Sequence, residues 1–217
     1  MRHRSSKILM FISIGILFLG ISFVYAETAE EYYNRGLACG KQGNLTQAIS
    51  EFTKSIKMNP NLADAYCNRG IAYYSQGNFT QAISDYIKAI AINPRLADAY
   101  YNRGIAYYSQ GNFTQAISDY SKAIEINPND SEAYWSRGNV YSKQGNLPEA
   151  ISDYNKAIEI NPSFAIAYEG RAYSYFDKKE YEKAWNDVHK AEALGYKADK
   201  DDLEFLDKLK KALGRDK

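Results

Sequence analysis

Apolar residues are laid out in two ways along this chain. An uncharged apolar run from Ile8 to Val24 follows a basic start at Arg2, Arg4 and Lys7. From residue 29 onward, apolar and small residues recur at the spacing of one helix face. In the stretch that begins at Ala97, Tyr100, Gly104 and Tyr107 fall on one stripe at about 100° per residue, which predicts an amphipathic helix. Gly111-Asn112 ends it, because glycine past the last turn adopts the left-handed conformation without penalty. A second helix then carries Ala116, Tyr120, Ala123 and Ile126 on its buried side, and Asn127-Pro128 stops it.

This helix–turn–helix text recurs with a period of 34 residues. With units starting at Ala29, Ala63, Ala97, Ser131 and Ala165, the fourth position reads Tyr32, Tyr66, Tyr100, Tyr134 and Tyr168. The eighth reads Gly36, Gly70, Gly104, Gly138 and Ala172, and the twentieth is always alanine, from Ala48 to Ala184. Pro60, Pro94, Pro128 and Pro162 close the first four units, whereas the fifth ends in Leu194-Gly195-Tyr196. Residues 199–213 form one more amphipathic segment, with Leu203, Leu206, Leu209 and Leu213 on one side. Acids early and lysines late in it suit a helix dipole, so it reads as a capping helix.

These columns resemble the tetratricopeptide repeat over residues 29–198. The expected fold is therefore all-α: a right-handed α-solenoid of five repeats (29–62, 63–96, 97–130, 131–164 and 165–198), closed by a capping helix and tail at 199–217. The resemblance implies that positions two, five, six, nine, twelve and thirteen line a concave groove where ligands sit. Position six holds Asn34, Asn68 and Asn102, a ladder of amides able to pair with a peptide backbone. Tyr33, Tyr101 and Trp135 at position five, and Tyr74, Tyr108 and Phe176 at position twelve, add aromatic contact area. Asp64 and Asp98 at position two make one rim acidic, favouring a ligand with some positive charge. Positions five and nine lack the Lys and Asn of the family's chaperone-binding carboxylate clamp, so capture of a C-terminal carboxylate is not expected.

Position seven is always arginine (Arg35, Arg69, Arg103, Arg137, Arg171) and position twenty-three always acidic (Glu51, Asp85, Asp119, Asp153, Asp187). One identical pair per unit predicts a structural ion pair rather than catalysis. His3 and His189 are the only histidines, too few for a nucleophile–base arrangement or a metal cluster. The chain is thus read as a non-catalytic scaffold without cofactor or metal. Its expected partner is a protein or peptide, and a homo-oligomer built through the same groove is the rival reading.

Val24-Tyr25-Ala26 closes the apolar run as a signal-peptidase site would, giving residues 1–26 as a signal peptide. The alternative is an uncleaved tether through residues 8–25 to the inner membrane. Either reading puts the repeats outside the cytoplasm, in a bacterial periplasm or secreted. Without Arg2, Arg4 and Lys7 the chain keeps 24 basic against 26 acidic residues, a formal charge of −2 with no basic block, so nucleic acid is not an expected partner. Cys39 and Cys67 sit about 9 Å apart along neighbouring helix axes, beyond disulfide reach, and are expected as buried free thiols.

Overall fold

A computed structural model describes residues 27–215; the leader or anchor read at residues 1–26 lies outside them. Among the described residues there are eleven helices and no strand. The first helices of the five units are α1 (Ala29–Lys41), α3 (Ala63–Ser75), α5 (Ala97–Ser109), α7 (Ser131–Lys143) and α9 (Ala165–Asp177). Their antiparallel partners are α2 (Leu45–Met58), α4 (Phe79–Ile92), α6 (Phe113–Ile126), α8 (Leu147–Ile160) and α10 (Tyr181–Ala193), and α11 (Lys200–Ala212) follows. Each pair packs on the next, so the solenoid has a continuous ribbon of core instead of a single centre. No helix among the described residues is long and apolar enough to cross a membrane.

The turn inside each of the first four pairs uses a glycine at φ 76–79° (Gly43, Gly77, Gly111, Gly145). The fifth pair puts Lys179 there at φ 62°, a left-handed conformation that costs a residue with a Cβ. Inside each pair the helices approach over alanine: Ala48, Ala82, Ala116, Ala150 and Ala184 have no exposed surface. The glycine at position eight lies under the aromatic ring of position twenty-four, Phe52, Tyr86, Tyr120 or Tyr154. A Cβ on Gly70 would stand 2.6 Å from Tyr86 Cε1, so this contact admits no side chain. In the fifth unit Val188 replaces the aromatic ring and Ala172 the glycine, and the two pack in one cluster.

Every unit forms its ion pair. Arg69–Asp85, Arg103–Asp119, Arg137–Asp153 and Arg171–Asp187 are each bidentate at 2.7–2.8 Å. Arg35 makes one bond to Glu51, at 2.9 Å, and turns its other end to Glu27. The tyrosines at positions four and eleven do not enter the core fully. Apart from Tyr168, which is buried, they stay half-buried beside the guanidinium, as Tyr66 and Tyr73 do at 5.5 and 6.0 Å from Arg69. Nη1 of the arginine reaches back to the preceding unit, to Thr53 from Arg69, Ser121 from Arg137 and Asn155 from Arg171. One residue thereby ties two helices of its own unit and a third behind them. Arg103 lacks this last bond because Ile87 occupies the acceptor's place.

Both cysteines are free. Cys67 is buried as expected, and burial, with Asp98 and Asp64 nearby, pushes its thiol up to about 12. Cys39 departs from the expectation and is only partly buried. It lies in the first described pair, whose face is not covered by another pair among the described residues.

Candidate functional site

Position five, nine and twelve side chains of consecutive first helices come together because those helices lie side by side at the same register. Between units three and four this produces a pocket of about 380 Å³, lined by Tyr74, Tyr101, Ile105, Tyr108, Ser109, Tyr120, Trp135, Ser136 and Asn139. Of the residues expected in the groove, four are thus gathered: Tyr74, Tyr101, Tyr108 and Trp135. Three of these rings lean on the position-seventeen or position-twenty-four ring of their own unit, Tyr74 on Phe79 at 5.2 Å, Tyr101 on Tyr120 at 5.7 Å and Tyr108 on Phe113 at 5.6 Å. Lys143 Nζ sits 5.2 Å over the Tyr108 ring.

Hydroxyls along the groove bond across the seam between units. Tyr74 Oη pairs with Ser109 Oγ at 3.0 Å and Tyr101 Oη with Ser136 Oγ at 3.3 Å. Tyr33 Oη accepts from Asn68 Nδ2 at 3.1 Å. The next step of this series would join Trp135 to position six of unit five, which is Gly170 and has no side chain to offer. Trp135 Nε1 is accordingly buried without a partner among the described residues.

The asparagine ladder is engaged locally. Asn68 and Asn102 each donate one amide N–H to the carbonyl of Asp64 and Asp98, four residues back, at 2.9 and 2.8 Å. Their side-chain carbonyl oxygens make no hydrogen bond among the described residues. Asn34 is exposed, and neither it nor Asn102 lines the pocket. Tyr33 packs on Phe52 at 5.9 Å, away from the Tyr101 pocket. A second hollow of about 290 Å³ lies between units one and two, lined among others by Leu37, Leu45, Asn68 and Ile71. Asp64 and Asp98 stand exposed in the first turns of α3 and α5, where an acid suits the helix dipole.

Phe176 is placed elsewhere. It lies 5.2 Å from Phe205 of α11, and Tyr173 stacks on the same ring at 4.0 Å, so the capping helix fills in unit five the space that stays open above unit three. A polar cluster completes this end. Asp202 accepts from Tyr173 and Tyr196, both at 2.9 Å, and from the Asp199 N–H at 2.8 Å. Burial opposes its charge, yet these bonds hold its carboxyl below the usual range. Glu169 beside it is pushed up to about 7, first by burial and then by the charges of Asp202 and Asp199.

The folded chain therefore keeps a proton on Glu169 between about pH 4.5 and 7 that the unfolded chain has released, and stability falls as pH rises through that window. Glu169→Gln should remove this slope and stabilise the chain at pH 8 by about 2 kcal/mol, allowing for the water that still reaches the group. Thermal melts of both proteins at pH 5 and 8 measure it. A difference between the two proteins that does not change with pH would refute the assignment.

Ile105 and Asn139 at position nine, Ser136 at position six and Ser109 at position thirteen stand where the sequence reading placed the groove, whereas Tyr120, at position twenty-four, was missed. The signal for Tyr120 was hidden, since its spacing marks it as core; only its outer end reaches the groove.

Comparison with known proteins agrees with this architecture. A family profile described as TPR repeat matches residues 36–77, 70–111 and 138–179, and two described as tetratricopeptide repeat match 97–130 and 120–152. No curated protein matches the chain. Among solved structures, MamA is 29% identical with a TM-score of 0.69, over 73% of this chain and 93% of that one. PilF of Pseudomonas aeruginosa is 22% identical with a TM-score of 0.78, over 86% and 85%. YrrB, described as a TPR protein with an unusual peptide-binding site, is 24% identical with a TM-score of 0.68, over 83% and 92%. At such identities the last two speak for the fold alone.

Proposed function

The chain belongs to the tetratricopeptide repeat family, and on that footing we propose that it is a non-catalytic, extracytoplasmic scaffold of five such repeats that binds peptide segments of partner proteins in its groove. One observation carries this reading. The pocket walled by Tyr74, Tyr101, Tyr108 and Trp135 stays open, while the corresponding space at the C-terminal end is filled by Phe205. Aromatic walls left uncovered are an adhesive surface, and large rings contribute contact area at small conformational cost. Support for a place outside the cytoplasm comes from the sequence alone, from the basic start, the run Ile8–Val24 and the small residue Ala26. A reporter that is active only outside the cytoplasm, fused after Lys217, should be active; silence would remove that part.

Selection of a randomised twelve-residue peptide display library on the full chain tests the groove. Enriched peptides are expected to bind about tenfold or more weakly to Tyr101→Ala and Tyr108→Ala variants whose circular dichroism is unchanged. No enrichment, or binders indifferent to both variants, would sink the reading.

A further inference from the structure

Tyr120 is 2% exposed and its ring covers Gly104, yet it also lines the pocket. Unit four tells where the outer end of such a ring arrives. There Tyr154, at the same position, donates its hydroxyl to Asn139 Oδ1 at 2.7 Å, and Asn139 is a position-nine residue of the groove. In unit three position nine is Ile105, which accepts nothing. The Tyr120 hydroxyl makes no hydrogen bond among the described residues and is not enclosed by them, so its donor is open to whatever fills the pocket. In unit one the same position is Phe52, so packing against the position-eight glycine does not require the oxygen.

Trp135 Nε1 is a second donor without a partner among the described residues, whereas the oxygens of the pocket's serines and of Asn139 are taken. Ser109 Oγ donates to the Ile105 carbonyl at 3.0 Å and receives Tyr74; Ser136 Oγ is bonded to Tyr101; Asn139 Oδ1 holds Tyr154. The pocket thus presents two spare donors, Tyr120 Oη and Trp135 Nε1, flat aromatic walls and no spare amide or serine oxygen. The backbone N–H of an ordinary residue entering it finds no free amide or serine oxygen, and only a tyrosine hydroxyl is left to accept it. Proline has no N–H, and its preceding carbonyl, unbonded in an extended polyproline segment, is free to accept. A cation is a poorer occupant, because Lys143 already stands over the Tyr108 face and none of the lining residues is acidic.

We propose that the pocket between units three and four takes a proline of an extended partner segment, with the Tyr120 hydroxyl donating to a ligand backbone carbonyl. This rests on the groove reading above and narrows it to proline-containing ligands, the kind that dock in aromatic-lined grooves elsewhere.

The test is titration of the full chain with a decaproline peptide and with a ten-residue peptide of alternating alanine and glutamine. Binding is followed through the indole N–H resonance of Trp135, which Trp135→Phe identifies against the second tryptophan, Trp185. Decaproline should shift that resonance, and the control peptide should not. Tyr120→Phe, which mimics unit one, should weaken decaproline binding about tenfold without lowering the melting temperature. Tyr154→Phe, whose hydroxyl is engaged within the protein, should leave the affinity unchanged within about twofold. Equal binding of both peptides, or decaproline affinity untouched by Tyr120→Phe, overturns the proposal. Proline-free peptides from the display library that need Tyr101 and Tyr108 would overturn it while the groove reading survives. A concentration-dependent dimer dissolved by Tyr120→Phe would replace the peptide with a second copy and overturn it too.

Discussion

Replacing Asp119 by alanine should lower the melting temperature by roughly 4–12 °C, the equivalent of about 2–3 kcal/mol in a chain of this size. Asp119 is 5% exposed and receives both Nε and Nη2 of Arg103 at 2.7 and 2.8 Å. Without it the guanidinium remains wedged between Tyr100 and Tyr107, 5.6 and 5.9 Å from their ring centres, with no carboxylate. Arg103 also lacks the bond to the preceding unit that Arg69, Arg137 and Arg171 possess, so nothing among the described residues takes over. The side chain keeps a little contact with water, which places the loss below that of a fully enclosed pair.

Glu51→Ala in the first unit should cost much less, because Arg35 is 43% exposed and keeps Glu27 as a partner. Thermal melts, with hydrogen exchange to localise the loss to α5 and α6, measure both. Equal melting temperatures for the two variants would show that burial does not set the strength of this pair.

Gly70→Ala should destabilise by about 2 kcal/mol, although alanine is intrinsically the better helix former by about 1 kcal/mol. The new Cβ would meet Tyr86 Cε1 at 2.6 Å and Cδ1 at 2.9 Å, and Tyr86 is 1% exposed, with no room to withdraw. Overpacking therefore outweighs propensity. Ala172→Gly should also destabilise, by about 1 kcal/mol, for the opposite reason: Val188 leaves room for the methyl group, so only helix propensity is lost. Combining Gly70→Ala with Tyr86→Val should recover part of the clash energy in a double-mutant cycle. A Gly70→Ala protein as stable as the parent would mean that the helices of a pair can part without loss.

The two positions also mark how far the sequence could be read. The glycine column at position eight and its single exception, Ala172, were visible in the repeat, but their cause was not. Position twenty-four lies sixteen residues away, and only the packed pair brings its ring over the glycine. The ion pairs were legible because five copies of arginine and acid kept one spacing, and electrostatics forbids a buried guanidinium without a counter-charge. That the same arginine reaches the preceding unit was not legible, since its acceptor varies among Thr53, Ser121 and Asn155.

The groove divides in the same way. Register placed Tyr74, Tyr101, Tyr108 and Trp135 on one stripe, and side-by-side stacking of equal helices brings equal positions together. The asparagine column carried the same regularity, yet Asn68 and Asn102 satisfy backbone carbonyls within their own helices, an option open to any amide one turn away. Phe176 belongs to the column too, but α11 covers it, and no periodicity states what a terminal helix will fill.

Repetition of 34 residues thus settled helices, turns, pairing and the buried alanines from the chain text, because each is a local or nearest-neighbour property that recurs at fixed spacing. Which hydroxyls find partners, which ring opens to the groove and which space is left unfilled depended on contacts between units. Those contacts hinge on single departures from the repeat, Ile105 against Asn139 and Gly170 against Ser136, whose consequences exist only once neighbouring helices are side by side.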